Sequence, residues 1–431
     1  MLKRKKIYLV TALGFLVIIF LGAFLLGMPI CNNRNLKFSD AIFISTSAVC
    51  VNGYTVQTIS EQFTGFGQFI LLLLVQIGAL GFMSFIVFIL TITNKKIRIS
   101  DTVIAGDSIN ENIYSHIRTR IKNIFKYTFG IEGLGAIFLS LRFIQIYGLK
   151  QGVWYGIFHS ITAFCNAGFD ILPGENSLLA LKNDVYINSI LIMLMFLGGI
   201  GFLVIEDVIS CFSFKKNKKL SFQSRLVLKT TFILIFFSLI LTKIFEPNLK
   251  FMENLFMGIT LRTTGFSIAS VANFQNTTKL LYCNLMLIGG APGSTSGGIR
   301  ESVVAILFLV VSSTLRKKKE VTCFYRKIDD SVIKKSITIV ILSALIILIG
   351  TMIIMNSEHL ALEDTLFHTI GAFSEVGLSY IDFNSFSEFG QIVIMIIMYI
   401  GRIGPISAAS LLVIDKKERQ DISYPNANVI L

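Results

Sequence analysis

Four short stretches of the sequence are variants of one pattern, and they decide the fold: Ala48-Val-Cys-Val-Asn-Gly-Tyr54, Ala163-Phe-Cys-Asn-Ala-Gly-Phe169, Leu261-Arg-Thr-Thr-Gly-Phe266 and Phe373-Ser-Glu-Val-Gly-Leu378. Each contains a glycine at the matching position and follows an apolar segment too short to cross a bilayer. Those short segments are Asp40–Val49, Gly156–Phe164, Glu253–Leu261 and Asp364–Phe373. Because each must dip into the membrane and return, the pattern predicts four helix–pore-loop–helix repeats.

The composition is typical of a polytopic membrane protein. Of the 431 residues, 53% are hydrophobic and 15% are charged, whereas soluble proteins carry about 25% charged residues. Phe69–Ile92 and Val185–Ile205 contain no charge and are long enough to span a bilayer. The predicted fold class is therefore an all-α polytopic membrane protein, with four tandem repeats around a single pseudo-fourfold pore.

The positive charge is concentrated at the ends of the apolar runs. The net charge is +13, and the basic clusters are Lys3–Lys6, Lys95–Arg98, Arg118–Lys126, Lys215–Lys219, Arg316–Lys319 and Lys416–Arg419. This is the positive-inside pattern, so both termini are predicted to be cytoplasmic in a multi-pass plasma-membrane protein. The charge encodes orientation and suits acidic lipids or a partner protein; it does not indicate nucleic-acid binding.

The repeat boundaries follow these clusters. The predicted units are a first repeat (1–96), a linker with the second repeat (97–214), a third repeat (215–316), a fourth repeat (317–415) and a cytoplasmic tail (416–431). The first helices of the repeats are predicted at Ile7–Ile30, Lys126–Phe143, Val227–Ile244 and Ile337–Met355. The closing helices are predicted at Phe66–Thr93, Val185–Phe212, from Leu280 onwards, and at Gln391–Val413. A second pair of glycines falls in each closing segment: Gly78 and Gly81, Gly198 and Gly201, Gly290 and Gly293, Gly401 and Gly404.

Only the third closing segment is predicted to be broken. It contains the run Gly289-Gly-Ala-Pro-Gly-Ser-Thr-Ser-Gly-Gly298, and proline with clustered glycine ends a helix. A simple kink is the alternative, but ten such residues are too many for a kink.

Four half-helices that meet around one axis suit a cation. The negative end of each helix dipole faces that axis, and carbonyl groups of the extended stretch replace the water shell of the ion. Glycine permits the backbone angles that this requires. The predicted ion-binding residues are Val51, Asn52, Gly53, Asn166, Ala167, Gly168, Thr263, Thr264, Gly265, Glu375, Val376 and Gly377.

Five ordered motifs give the chain a resemblance to a known family. They are Ser45-Thr-Ser-Ala-Val-Cys-Val-Asn-Gly53, Thr162-Ala-Phe-Cys-Asn-Ala-Gly-Phe-Asp170, Leu261-Arg-Thr-Thr-Gly-Phe266, Pro292-Gly-Ser-Thr-Ser-Gly-Gly298 and Gly401-Arg-Ile-Gly-Pro405. Over nearly its whole length the chain resembles the Trk/Ktr/HKT superfamily of cation transporters, most closely the KtrB-type potassium uptake subunit. The family pattern has threonine where this chain has Asn52, and a small residue where it has Glu375.

The resemblance implies several properties. It implies potassium uptake through a homodimer on a cytoplasmic ring of nucleotide-binding regulatory subunits of the KtrA/TrkA (RCK) type. Glycine at all four filter positions, including Gly53, implies a preference for potassium. The alternative is sodium-selective or sodium-coupled transport by the same fold, and sodium as a co-ion or activator stays open.

The resemblance also implies a gate below the filter. The predicted gate residues are Gly289, Gly290, Gly293, Ser294, Thr295, Ser296, Gly297, Gly298 and Arg402. Arg402 is a charge inside an otherwise uncharged span, which marks it as a functional candidate. Its alternative role is a structural pair with a carboxylate or with helix-end carbonyl groups.

Other polar residues in the apolar segments have less specific interpretations. Glu375 either binds the cation directly or supports the filter by pairing with Arg262. Glu132 is expected to cap a helix or to pair with backbone or basic groups. His159 and His368, at matched positions, are expected to hydrogen-bond to the helix frame.

An intramembrane enzyme is the rival class. The four histidines, His116, His159, His359 and His368, form no metal-ligand pattern, and the sequence has neither a CxxC pair nor a nucleotide-binding loop. We therefore predict a transporter without catalytic residues, whose only ion site is the filter.

Overall fold

The computed structural model describes residues 2–81, 117–174, 177–212, 219–262 and 264–412. Several predicted features lie outside these ranges: most of the linker after residue 96, the end of Phe66–Thr93, the clusters Lys95–Arg98 and Lys416–Arg419, most of Lys215–Lys219, the tail 416–431, His116 and Thr263.

The described residues form sixteen α-helices and two very small sheets. The first repeat contains α1 (Leu2–Leu26), α2 (Phe38–Cys50), α3 (Ile59–Gln62) and α4 (Gly65–Leu80). The second contains α5 (Ile117–Tyr147), α6 (Leu149–Phe164), α7 (Val185–Gly199) and α8 (Phe202–Phe212). The third contains α9 (Phe222–Phe245), α10 (Phe251–Thr260), α11 (Asn276–Leu287), β1 (Ile288–Gly289), β2 (Ile299–Arg300) and α12 (Glu301–Leu315). After β3 (Thr322–Cys323) and β4 (Arg326–Lys327), the fourth contains α13 (Asp330–Glu358), α14 (Leu362–Ser374), α15 (Glu388–Ile403) and α16 (Pro405–Leu412).

The first helix of every repeat is a membrane span by length and hydropathy. Within the described residues these spans are Tyr8–Leu26, Arg120–Tyr147, Phe222–Phe245 and Asp330–Glu358. Their outward faces carry exposed apolar side chains such as Phe24, Phe236 and Leu348, which suits contact with lipid. The prediction of an all-α fold with these four spans is confirmed.

Each predicted half-helix is present and packs against the first helix of its own repeat. In the first repeat, the Ser45 hydroxyl donates to the Ile19 carbonyl oxygen at 2.7 Å. The matched Ser160 hydroxyl, also eight residues before its filter glycine, donates to the Glu132 carbonyl oxygen at 2.6 Å. The spanning helix presents a glycine at this contact, where any side chain would overlap the serine hydroxyl. These contacts fix the positions of the first two half-helices along their spanning helices.

The closing segments differ from the prediction, because the second and fourth are also broken. Val185–Phe212 was expected to be one helix, but α7 and α8 meet at an angle of 101°. Gln391–Val413 likewise divides into α15 and α16 at an angle of 103°. Gly201 (φ +88°) and Gly404 (φ +90°) stand at the two bends, in a left-handed backbone conformation that ends a helix and that glycine adopts without strain. In the first repeat α4 also stops before a left-handed glycine, Gly81 (φ +78°).

Candidate functional site

The four filter glycines form a closed ring of contacts. All four have left-handed backbone angles, with φ values of +96° at Gly53, +65° at Gly168, +84° at Gly265 and +65° at Gly377. A Cβ added to any one would collide with the carbonyl oxygen of the residue just before the glycine of the next repeat. The contacts run from Gly53 to Ala167, from Gly168 to Thr264, from Gly265 to Val376, and from Gly377 to Asn52. The order of repeats around the ring is therefore first, second, third, fourth and back to the first.

The residue two places before the glycine is also left-handed in three repeats. Val51 (φ +61°), Asn166 (φ +58°) and Glu375 (φ +58°) adopt a conformation that costs about 1–2 kcal/mol for a residue with a side chain. The residue between each of them and its glycine does not have a positive φ. This alternation of backbone handedness brings successive carbonyl groups to the same side of the chain, as an ion-coordinating segment requires. The equivalent residue in the third repeat, Thr263, lies outside the described residues.

Asn52 holds the first filter segment against the fourth repeat. Its side-chain nitrogen donates to the carbonyl oxygens of Gly371 at 3.0 Å and Ala372 at 3.2 Å. The Tyr54 hydroxyl adds a bond of 3.1 Å to the carbonyl oxygen of His368. The Asn52 side chain is thus engaged with protein behind the filter, and only its backbone carbonyl lies at the contact with the fourth repeat's glycine.

Asn166 connects the filter with the loop in the third closing segment. Its side-chain amide lies 2.7 Å from the Thr264 hydroxyl and 2.9 Å from the Thr295 hydroxyl. Thr264 belongs to the next filter segment and Thr295 belongs to the loop. The second repeat therefore contacts both the ring and the predicted gate through one side chain.

Glu375 is fully buried and pairs with Arg402. Its Oε2 accepts from Arg402 Nη1 at 2.8 Å, and Gly297 of the loop lies directly against the carboxyl group. The predicted alternative of a pair with Arg262 is wrong, because Arg262 pairs with Glu301 in a second buried ion pair. Glu301 also accepts from the Thr231 hydroxyl at 2.9 Å.

Arg402 reaches three parts of the molecule from α15. Besides pairing with Glu375, it donates to the carbonyl oxygen of Thr295 at 3.1 Å and to that of Gly78. Arg402 therefore makes the contacts of its alternative role, with a carboxylate and a helix-end carbonyl group, and it also contacts the loop. Its role in a gate stays a prediction.

The loop between β1 and β2 is buried and fixed on two sides. β1 and β2 pair in parallel, which joins the two ends of the loop. Two backbone hydrogen bonds join the loop to the second repeat. Ala291 N of the loop donates to the Gly199 carbonyl oxygen at 3.0 Å, and Phe202 N of the second repeat donates to the Gly293 carbonyl oxygen at 3.0 Å. On the other side, Arg402 donates to Thr295 and the Arg300 guanidinium donates to the carbonyl oxygen of Ser296. The predicted break is thus an ordered loop that contacts the filter residues from one side.

Two cavities lie near the ring. One, of about 420 Å³, includes Gly53, Gly168, Asp170 and Asp382 in its lining. The other, of about 250 Å³, is lined by loop residues such as Ser294 and by Arg402. The side of the ring that faces the 420 Å³ cavity therefore carries carboxylates. The side that faces the loop carries basic groups.

The histidines act as predicted, whereas Glu132 does not. The Nε2 of His159 lies 2.8 Å from Asp170 and that of His368 lies 3.0 Å from Ser379, and the Nδ1 of each ring lies 2.7 Å from a carbonyl oxygen of its own helix. Glu132 was expected to pair with backbone or basic groups. Its carboxylate instead accepts from the Gln76 side-chain amide at 3.1 and 3.2 Å.

Sequence reasoning missed Arg300 and Glu301. These adjacent charges follow the loop inside an apolar closing segment, and a charge in such a segment is a functional candidate by default. The rule that makes Arg402 a candidate applies equally to Arg300 and Glu301.

Comparison with known proteins places this geometry in a family. A family model described as the cation transport protein TrkH matches residues 3–421. The chain belongs to the TrkH family of cation transport proteins. The resemblance drawn from the five motifs is thereby confirmed.

Several relatives in this family are similar over most of their length. The Ktr system potassium uptake protein B of Bacillus subtilis is 32% identical over 431 residues, which cover 97% of this chain and 95% of the relative. The protein of the same description from Vibrio alginolyticus is 31% identical over 432 residues, covering 98% and 94%. The potassium/sodium uptake protein NtpJ of Enterococcus hirae is 32% identical over 393 residues, covering 88% and 86%.

A solved structure supports the fold. The crystal structure of the potassium transporter TrkH from Vibrio parahaemolyticus matches with a TM-score of 0.75 at 17% identity, and the match covers 94% of this chain and 84% of that chain. The four-repeat helical membrane architecture is thus a known one.

Proposed function

We propose that the chain is the potassium-translocating membrane subunit of a Ktr-type uptake system. The observation that carries the proposal is the closed ring in which every filter glycine is left-handed and contacts the backbone of the next repeat. Such a ring supplies backbone carbonyl oxygens from four sides, which is how a filter replaces the water shell of a potassium ion. The names of the Bacillus subtilis and Vibrio alginolyticus relatives support potassium as the ion.

In this proposal the ion-binding groups are backbone carbonyl oxygens of the filter residues. The filter residues comprise Val51 to Gly53, Asn166 to Gly168, Thr263 to Gly265 and Glu375 to Gly377. Glu375 contributes its backbone carbonyl oxygen to the filter, because its carboxylate is occupied by the ion pair with Arg402. Residues 289–298 and Arg402 form the gate, and the four repeats have the boundaries predicted from the sequence. The protein performs no covalent chemistry, and membrane potential drives uptake with about 2.3 kcal/mol per charge per 100 mV.

The charges of the two cavities suit movement of cations from the acidic cavity through the filter to the loop side. Asp170 and Asp382 make the 420 Å³ cavity negative, so it attracts cations to the filter mouth. We assign it to the outside, because the beginnings of α1 and α13 line the opposite cavity, and the exposed basic cluster Arg316–Lys319 precedes α13 in the chain. Both termini are then cytoplasmic and the membrane is the plasma membrane.

The assembly of the protein with partner subunits is part of the same proposal. The names of the Ktr system relatives support assembly with further subunits of such a system. We propose a homodimer on a cytoplasmic ring of nucleotide-binding KtrA/TrkA-like subunits. Co-purification of the tagged chain with a candidate ring subunit tests this.

A second candidate is sodium-selective or sodium-coupled transport. The observation in its favour is the Enterococcus hirae relative, whose name includes both potassium and sodium. Uptake of rubidium and of sodium by cells that lack their own potassium uptake separates the two. We expect rubidium uptake without added sodium; uptake of sodium alone, or of rubidium only with sodium, would favour the second candidate.

A further inference from the structure

The cavity on the loop side of the ring is small and positively charged. It has a volume of about 250 Å³ and lies between the beginnings of α1 and α13, the ends of α4 and α15, and the loop. Arg300, Lys335 and Arg402 are among its lining residues, and no described carboxylate is. This is an unusual lining for a cavity on the path of a cation.

Among the described residues, only one of the three positive charges forms an ion pair. Arg402 is paired with Glu375. Arg300 donates to the carbonyl oxygen of Ser296, and neither Arg300 nor Lys335 forms an ion pair with any carboxylate in the described ranges. Glu375 also attracts Arg300 electrostatically. Among the described residues, three positive charges therefore face one carboxylate, which leaves two in excess, and Arg300 offers a guanidinium group with several N–H donors.

We propose that this cavity binds a phosphoryl-bearing anion between Arg300 and Lys335, and that the bound anion promotes cation passage. A phosphate monoester carries about −1.5 to −2 charges at pH 7, which matches the net charge of this group of side chains. The phosphodiester of a lipid headgroup carries about one negative charge and neutralises half of it. The planar guanidinium of Arg300 suits two phosphate oxygens at once. The hydroxyl-bearing residues Ser294 and Ser407 also line the cavity and suit the remaining oxygens.

The same anion acts on the loop. Arg300 holds the Ser296 carbonyl group through its guanidinium, and an oxyanion is a stronger acceptor for that group than a carbonyl oxygen. Binding therefore lowers the repulsion that a cation meets in the cavity and competes for one of the bonds that fix the loop. The anion is either free in the cytoplasm or the headgroup of an anionic lipid, because both present negatively charged phosphate oxygens.

The test uses the full-length protein in membranes of neutral phosphatidylcholine. One arm adds inorganic phosphate, and the other replaces part of the lipid by phosphatidylglycerol without phosphate. Binding of radiolabelled phosphate and flux of rubidium are measured separately. We expect one of the two anions to raise rubidium flux about tenfold, which corresponds to 1.4 kcal/mol.

The decisive variant is Lys335→Gln, because Lys335 is exposed and its replacement leaves the loop contacts intact. The matched control is Lys334→Gln, since Lys334 is its exposed neighbour and is absent from the cavity lining. We expect Lys335→Gln to remove the stimulation, with phosphate binding weakened about tenfold if the anion is free phosphate, and Lys334→Gln to behave as the parent.

The outcomes are distinct. Stimulation by phosphate identifies a free anion, and stimulation by phosphatidylglycerol alone identifies a lipid headgroup; either supports the site if Lys335→Gln abolishes it. Rubidium flux that neither anion changes overturns the proposed effect on cation passage. A stimulation, or a phosphate binding, that Lys335→Gln leaves unchanged overturns the site. The flux arm rests on the proposed function, whereas the binding arm does not: phosphate binding without rubidium flux would count against the transport proposal and not against the site.

Discussion

At the scale of single residues, the ring depends on glycine for space as well as for backbone angle. We predict that Gly377→Ala abolishes rubidium uptake, because its Cβ would collide with the Asn52 carbonyl group and its φ is +65°. The measurement is uptake per amount of protein inserted in the membrane. Gly130→Ala is the control, since a Cβ at Gly130 meets nothing within 4 Å. Normal uptake by the Gly377 variant would show that the fourth segment does not need this close contact.

Replacement of Glu375 in its pair with Arg402 tests whether this buried carboxylate binds the ion or positions the filter. We predict that Glu375→Gln lowers the maximal rate of rubidium uptake and leaves its half-saturating concentration unchanged. The reason is that the carboxylate contacts Arg402 at 2.8 Å, and breaking such a buried pair costs about 3–5 kcal/mol.

The double variant Glu375→Gln with Arg402→Gln is the companion measurement. It removes both charges, so it is expected to be more stable in thermal unfolding than Glu375→Gln alone. A large rise in the half-saturating rubidium concentration in the single variant would instead support direct coordination.

At the scale of elements, the loop between β1 and β2 is expected to restrict flow. We predict that deleting Ser294–Gly297 raises rubidium flux, because these residues supply the carbonyl groups that Arg402 and Arg300 hold beside the filter. Flux through reconstituted protein is the measurement. If the deletion variant folds and its rubidium flux equals that of the parent protein, the loop is not a gate.

The broken closing helices allow a matched comparison of two glycines. Gly201 and Gly404 have nearly equal φ values, +88° and +90°, so alanine at either costs a similar backbone strain of about 1–2 kcal/mol. Only at Gly201 would a Cβ press against the loop, where the Pro292 carbonyl oxygen would be 3.1 Å away. We predict similar losses of thermal stability in Gly201→Ala and Gly404→Ala, but altered flux in Gly201→Ala alone. Equal effects on flux would show that the second repeat does not position the loop.

The sequence predicted the elements well where hydropathy and spacing decide them. The four spans, the four half-helices and the left-handed glycines at the ring all follow from apolar length and from a repeated glycine. The bends after α7 and α15 were missed, because hydropathy stays high across Gly201 and Gly404. The recurring glycine pairs mark these bends, because glycine adopts the left-handed conformation of the turn without strain.

Partner choice among buried charges was not predictable in the same way. Glu375 pairs with Arg402, 27 residues later in the fourth repeat, and Arg262 pairs with Glu301, 39 residues later in the third repeat. The sequence does not decide between Arg262 and Arg402 as the partner of Glu375, because the packing of the closing segments determines which carboxylate each arginine meets. The contacts of Asn52 with the fourth half-helix, across 319 residues, illustrate the same limit.

At the scale of the whole molecule, ring closure joins the two ends of the chain. The first filter segment contacts the fourth through Gly377 and Asn52, and Tyr54 reaches the carbonyl oxygen of His368. All four repeats must therefore be in place before the ring is complete. The acidic cavity on one side and the basic cavity on the other give this ring a direction.

The central claim is that a cation binds on the axis of the four-glycine ring. The most direct measurement is a crystal structure in rubidium, with anomalous scattering recorded at the rubidium absorption edge. We expect a peak on that axis, within coordination distance of backbone carbonyl oxygens from all four repeats. A well-ordered ring without a peak, or a peak held by the Glu375 carboxylate instead, would contradict the account.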